Sequence, residues 1–156
     1  MKLHLIRHAK TEKIAPSGKD FDRELKDSGR TDTEQLAKYL KSLGFQPDRT
    51  LCSTAKRTLQ TCEILNATFQ FQALSFHDDL YLAEASVIKS LLETCKAEEN
   101  LTVIGHNDGI SDLASYLTGQ FISLPTTGYV CIEFFIDEWN ELSKDAGMII
   151  DFYRPL

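Results

Sequence analysis

Lys2-Leu3-His4-Leu5-Ile6-Arg7-His8 is a short run rich in Leu and Ile that ends in an arginine–histidine pair. A run of this length bounded by polar residues reads as a buried strand. Two later runs end in the same way. Thr50 to Ser53 breaks at Ser53-Thr54-Ala55-Lys56-Arg57-Thr58, and Leu101 to Gly105 breaks at His106-Asn107. As parallel strands, all three would place their breaks at carboxyl ends on one edge of one sheet, where open α/β sheets bind ligands. Two arginines and two histidines converging there would form a cationic pocket with potential nucleophiles, and the ligand this predicts is a phosphoryl group.

The rest of the chain repeats strand, break and helix. A polar stretch from Ala9 to Lys26 contains Pro16, Ser17 and Gly18, the marks of a loop, and its length points to function or mobility. Residues 30–43 put Leu36, Ala37, Leu40 and Leu43 on one helical face, stopped by Gly44. Ala55 to Ala67 reads as a helix, Phe71 to Phe76 as a strand, and Ala85 to Glu98 as a helix carrying Ile88, Leu91, Leu92 and Cys95. After Leu101 to Gly105, Ile110, Leu113, Ala114 and Leu117 mark a further helix closed by Gly119. Tyr129 to Ile136 and Met148 to Tyr153 read as a hairpin across the polar turn from Asp137 to Gly147. The expected fold is α/β: a three-layer α/β/α sandwich whose central sheet is mostly parallel with an antiparallel edge strand. With no linker or repeat, residues 1–156 read as one domain.

Composition sets further bounds. The chain has 156 residues, enough to bury a core without staples, and 42% of them are apolar. Its 17 basic and 23 acidic side chains leave a net charge of −6, which argues against a broad nucleic-acid footprint. A positive pocket must then be built from placed residues. No run has the length of a signal core or a membrane span, so no membrane partner is expected. Cys52, Cys62, Cys95 and Cys131 form no CxxC pair, which disfavours zinc and fits reduced, buried thiols in a cytoplasmic protein.

Among the candidate residues, His8 can accept a phosphoryl group because neutral imidazole keeps a free lone pair near pH 7. His4 and His8 lie about 13 Å apart along a strand and cannot share one ion. His4 therefore reads as structural. Arg57, one turn into its helix, can swing its guanidinium to the strand ends, where a planar fork of donors suits phosphoryl oxygens. Ser53 reads as a helix cap first and a ligand contact second. His106 and Asn107 end the best-defined interior strand in polar groups, as a binding site would.

Arg7-His8-Ala9, Ser53-x-x-x-Arg57-x-x-Gln60-Thr61 and Gly105-His106-Asn107-x-Gly109 together resemble the histidine phosphatase superfamily, also called phosphoglycerate mutase-like. Short length, the segment Asp20-Phe21-Asp22-Arg23-Glu24-Leu25 followed by Gly29, and Leu124-Pro125-Thr126-Thr127-Gly128 look like its SixA branch of phosphohistidine phosphatases. The resemblance implies that His8 is the phosphorylated nucleophile. Arg7, Arg57 and His106 would hold the phosphoryl oxygens, with Asn107 and Ser53 as further contacts and no metal or cofactor. Ala9 replaces the usual glycine of the first motif, as in that branch. Larger relatives carry an acidic proton donor after the third strand. Here Asp78, Asp79 and Glu84 are the candidates, with Glu84 the one to test. Asp22 and Arg23 are expected to form an ion pair that orders the first loop, with substrate contact as the second role.

The leading expectation is a monomeric phosphatase acting on phosphohistidine in a partner protein. The alternatives are a phosphatase of a small phosphorylated metabolite and, from another class, a phospho-binding module without turnover. A mutase is disfavoured because nothing in the sequence obviously excludes water from the phosphoenzyme.

Overall fold

The computed structural model describes residues 1–97 and 99–156. Six strands form one sheet: β1 (Lys2–Arg7), β2 (Arg49–Ser53), β3 (Leu74–His77), β4 (Leu101–Gly105), β5 (Tyr129–Phe134) and β6 (Gly147–Tyr153). Their order is β3-β2-β4-β1-β5-β6. β3, β2, β4 and β1 pair in parallel, whereas β5 runs antiparallel to both β1 and β6. The antiparallel strand is thus one in from the edge, and β6 at the edge runs with β1 again.

Four helices cover the sheet: α1 (Asp27–Ser42), α2 (Lys56–Phe69), α3 (Ala85–Leu92) and α4 (Gly109–Thr118). Strand alternation divides the apolar side chains between two layers. Leu3, Leu5, Leu51, Leu101, Val103, Val130 and Ile132 meet Ile88 and Leu92 of α3 and Ile110, Leu113, Ala114 and Leu117 of α4. Ile6, Cys52, Ile104, Tyr129 and Cys131 face the other way, against Leu36, Ala37 and Leu40 of α1 and Cys62 and Leu65 of α2. Every residue of β4 is buried, as a central parallel strand covered on both faces requires. His4 packs its ring edge on Phe45, and its Nδ1 pairs with the Tyr129 hydroxyl at 2.9 Å, so it is a satisfied core residue. Cys52, Cys62 and Cys131 are buried and all four thiols are free.

Boundaries differ from expectation where local pattern is ambiguous. α1 begins at Asp27, a turn early, and its Gly29 presses against the Lys10 backbone with no room for a Cβ. α3 ends at Leu92, well short of Glu98, which lies outside the described residues. Cys95 still packs on the core, but from a turn. β3 begins at Leu74, after Gln70 closes α2 in a left-handed conformation. Between β5 and β6 the chain buries Trp139, whose Nε1 donates to the Glu99 carbonyl at 3.0 Å.

The long first loop is ordered. An isolated bridge joins Thr11 to Leu25, and a single turn of 3₁₀ helix spans Asp20–Asp22. The Gln60 side chain accepts from the Leu25 amide at 2.8 Å, and Thr61 Oγ1 accepts from the Ala9 amide at 3.1 Å. Both residues belong to the second motif, and both hold the first loop against α2.

Candidate active site

The carboxyl ends of the neighbouring strands β2, β4 and β1 bring Ser53, His106 and Arg7-His8 side by side. The rings of His8 and His106 lie 5.3 Å apart between centroids. His106 Nε2 and the Ser53 hydroxyl share a hydrogen bond of 2.8 Å. From the start of α2, Arg57 enters the same crevice almost fully buried, with its side chain 2% exposed. The two arginines and two histidines predicted to converge are therefore brought together, with Ser53 beside them.

Backbone contacts fix the first motif. The His8 amide donates to the Gly105 carbonyl at 3.1 Å, and Thr127 and Gly128 pair with the backbone of His8 and Arg7. Thr127 adopts a φ of 60°, costly for a β-branched residue, at the point where its amide meets the His8 carbonyl. Arg7 Nη1 donates to the Leu124 carbonyl at 2.9 Å. His8 Nδ1 lies 2.8 Å from the Ala9 carbonyl, so this nitrogen holds the proton and the lone pair is on Nε2. Among the described residues, Arg7 Nε, Arg57 Nε and His106 Nδ1 are buried with no hydrogen-bond partner. Three unsatisfied nitrogens on three residues beside His8 form a set of groups suited to an oxyanion.

Electrostatics keep both imidazoles neutral. Burial pushes His8 down to about 4, the Ala9 carbonyl opposes this, and Arg57, Arg7 and Arg23 lower it further. His106 falls to about 3, through burial first and then Arg57 and His8. Burial also lowers Arg7, partly offset by Asp108.

Several expected roles change. Ser53 does not cap α2: the helix starts at Lys56 with Ala55 before it, and the Ser53 hydroxyl accepts weakly from the Ala55 amide at 3.3 Å while pairing with His106. Asn107 turns inward. Its Nδ2 donates to the Leu124 carbonyl that also receives Arg7, and its Oδ1 accepts from Ser111. It braces the site rather than facing it. Asp22 and Arg23 do not pair. Asp22 accepts from Ser17 at 2.7 Å, whereas Arg23 pairs with Asp20 at 3.0 Å and reaches Thr11 and the Glu12 carbonyl. Of the acidic candidates, Asp78 accepts from Thr54 at 2.7 Å, Asp79 is exposed, and Glu84 precedes α3, where its carbonyl receives Val87 and Ile88.

Two residues that the sequence left unassigned do reach the site. Asp20 accepts from Arg57 twice, at 2.9 Å through its carbonyl and 3.1 Å through Oδ2. Tyr81 packs its ring 5.6 Å from His106, lies under the Arg57 guanidinium, and donates its hydroxyl to Asp20 Oδ2 at 2.5 Å. Asp20 is carried in the segment that resembles the SixA branch, but its partner lies on another helix. Among the described residues, no three His, Cys, Asp or Glu side chains gather as a metal-ligand group.

The fold and site thus define an α/β protein with a buried, cationic crevice around a neutral histidine. The model of the histidine phosphatase superfamily (branch 1) matches residues 3–87, and the chain belongs to this family. It is a phosphatase with the phosphoglycerate mutase-like fold. It is similar to a structure assigned to the phosphohistidine phosphatase SixA of Agrobacterium tumefaciens, with a TM-score of 0.86, 25% identity, and coverage of 99% of this chain and 97% of that one. The protein histidine phosphatase SixA complexed with tungstate has the same fold at a TM-score of 0.83 and 20% identity, over 97% of this chain and 96% of that one. A chloroplast protein of Arabidopsis thaliana is 29% identical over 94% of this chain and 72% of its own length.

Proposed function

We propose that this phosphatase removes the phosphoryl group from phosphohistidine in a partner protein, through a phosphorylated His8. The observation that carries the reading is the neutral His8, with Nδ1 tied to Ala9 and its other ring nitrogen left to attack beside the unpartnered nitrogens of Arg7, Arg57 and His106. In the first step the Nε2 lone pair bonds to phosphorus as the substrate P–N bond breaks and its electron pair leaves with the substrate imidazole. Arg7, Arg57 and His106 hold the three equatorial oxygens, which is most of what phosphoryl transfer asks of a protein. Water then attacks the phosphorylated His8, releases inorganic phosphate and restores the neutral imidazole.

Likeness to the SixA chain over nearly the whole length supports a phosphohistidine substrate. So does the chemistry after β3, where Tyr81 packs on His106 and donates to Asp20. A departing imidazole needs less protonic help than an alkoxide. We read residues 1–156 as one domain, acting as a cytoplasmic monomer without a cofactor. No described helix is long and apolar enough to cross a membrane.

The test is incubation of wild type and His8→Ala with a phosphohistidine-bearing protein and with a panel of phosphorylated metabolites. Wild type should release phosphate from the protein through an acid-labile adduct on His8. Release that survives His8→Ala overturns the nucleophile. A preference of orders of magnitude for a metabolite overturns the substrate class. Tight anion binding without any adduct would leave only a phospho-binding module.

A further inference from the structure

Asp20 stands where the buried clamp meets solvent. Its side chain is 47% exposed, whereas that of Arg57, which it contacts, is 2% exposed. Three groups hold the carboxylate: Arg57 Nη2 and the Tyr81 hydroxyl on Oδ2, and Arg23 Nε on Oδ1. Two loops therefore converge on one anion beside the phosphoryl-binding residues. The Tyr81 hydroxyl, together with Arg57 and Arg23, holds Asp20 down to about 2 against the opposing effect of burial. It is ionised at any working pH, so it accepts hydrogen bonds and cannot serve as the proton donor of larger relatives.

An anion at this place would repel most phosphorylated substrates. For phosphohistidine it does the reverse. The two ring nitrogens share one conjugated system, and protonation of the nitrogen away from phosphorus is equivalent to acid catalysis at the breaking bond. When the P–N bond breaks, its electron pair passes to the nitrogen that held phosphorus. The distal N–H keeps its proton, and the leaving group is neutral imidazole. A carboxylate that accepts from that N–H stabilises the protonated ring before cleavage. A phosphomonoester has no second site on its leaving oxygen, so the same carboxylate gives it nothing.

We propose that Asp20 is a specificity-determining residue that accepts the distal N–H of the phosphohistidine ring at the mouth of the Arg57 clamp. It thereby favours this substrate over phosphomonoesters, most of all those with a second negative charge. The inference rests on the phosphohistidine reading above.

Asp20→Asn tests it, because the variant removes the charge and keeps the shape and an oxygen for Tyr81. kcat and KM are measured for wild type and variant on a phosphohistidine peptide, p-nitrophenyl phosphate and phosphoglycolate. Ratios between substrates are taken within one preparation, so loss of folded protein cancels. The expected result is a fall in kcat/KM on the peptide about tenfold larger than on p-nitrophenyl phosphate, the scale of one charge-assisted hydrogen bond. Phosphoglycolate should rise relative to p-nitrophenyl phosphate. Equal changes on all three substrates overturn the assignment and reduce Asp20 to a support for Arg57. Wild type that hydrolyses p-nitrophenyl phosphate through His8 but leaves phosphohistidine untouched overturns this assignment together with the substrate class.

Discussion

The Ser53 hydroxyl and His106 Nε2 lie 2.8 Å apart, which fixes the ring so that Nδ1 is the nitrogen left without a partner. Ser53 is fully buried, and its hydroxyl otherwise only accepts weakly from the Ala55 amide among the described residues. Ser53→Ala should therefore let the imidazole turn and should leave a buried nitrogen unsatisfied. The expected outcome is a loss of about tenfold in kcat and about 1–2 kcal/mol in stability, read from initial rates and urea midpoints. Unchanged kcat would mean that the ring is held by packing alone.

Arg57→Lys keeps a positive charge but loses the fork that reaches Asp20 by two nitrogens. A drop of about 10²–10³ in kcat/KM is expected, because a lysine cannot hold Asp20 and a phosphoryl oxygen at once. Steady-state kinetics on p-nitrophenyl phosphate measure it. A drop of only a few fold would mean that charge without direction suffices.

Lowered pKa values give a pH signature. His8 at about 4 and His106 at about 3 stay neutral far below the ordinary value of 6.5, and buried His4, at about 4, behaves likewise. Side-chain NMR signals of His8 should therefore stay flat between pH 8 and pH 5.5. Stability carries the same sign. The unfolded chain binds protons at these three histidines as pH falls through 6.5 while the folded chain does not. Stability is thus complete above 6.5 and declines toward pH 4, by on the order of 3 kcal/mol for each imidazole. Urea midpoints at pH 7.5 and pH 5 test this, and equal midpoints would contradict the burial of these rings.

How much of this was legible in the sequence depended on where the information sits. β4 and the glycine stop of α4 were read without error, because a strongly apolar run and a glycine after the last periodic residue are local signals. The convergence of Arg7, His8, Arg57 and His106 was legible because each ends or follows a strand or opens a helix. Asp20 and Tyr81 were not, since their roles arise from loops that meet only once the sheet has formed. Nothing local separates Asp20 from Asp22, or Tyr81 from Asp78. The end of α3 was misread because Cys95 continues the helical spacing and remains packed on the core after the helix has stopped.

Gly109 offers a check on the packing behind His106. A Cβ there would collide with the Ala83 carbonyl, so the first turn of α4 and the segment after Tyr81 are in backbone contact. Gly109→Ala should force the two apart, at a cost of several kcal/mol, roughly as overpacking a tight core does. Tyr81 would move with them. Thermal denaturation and the KM for p-nitrophenyl phosphate should change together, and a stable variant with an altered KM would locate the effect in Tyr81 alone.

β1 has a parallel neighbour on one side and an antiparallel neighbour on the other, so the backbone of Leu3 to Ile6 is bonded along both flanks beneath two helical layers. Amides in such a position exchange with solvent only when the whole molecule opens. His8 thus follows directly on a segment whose amides should exchange slowly, while Asp20 and Tyr81 ride on peripheral loops. Drift in those loops can move Asp20 and Tyr81 without disturbing the backbone that carries His8.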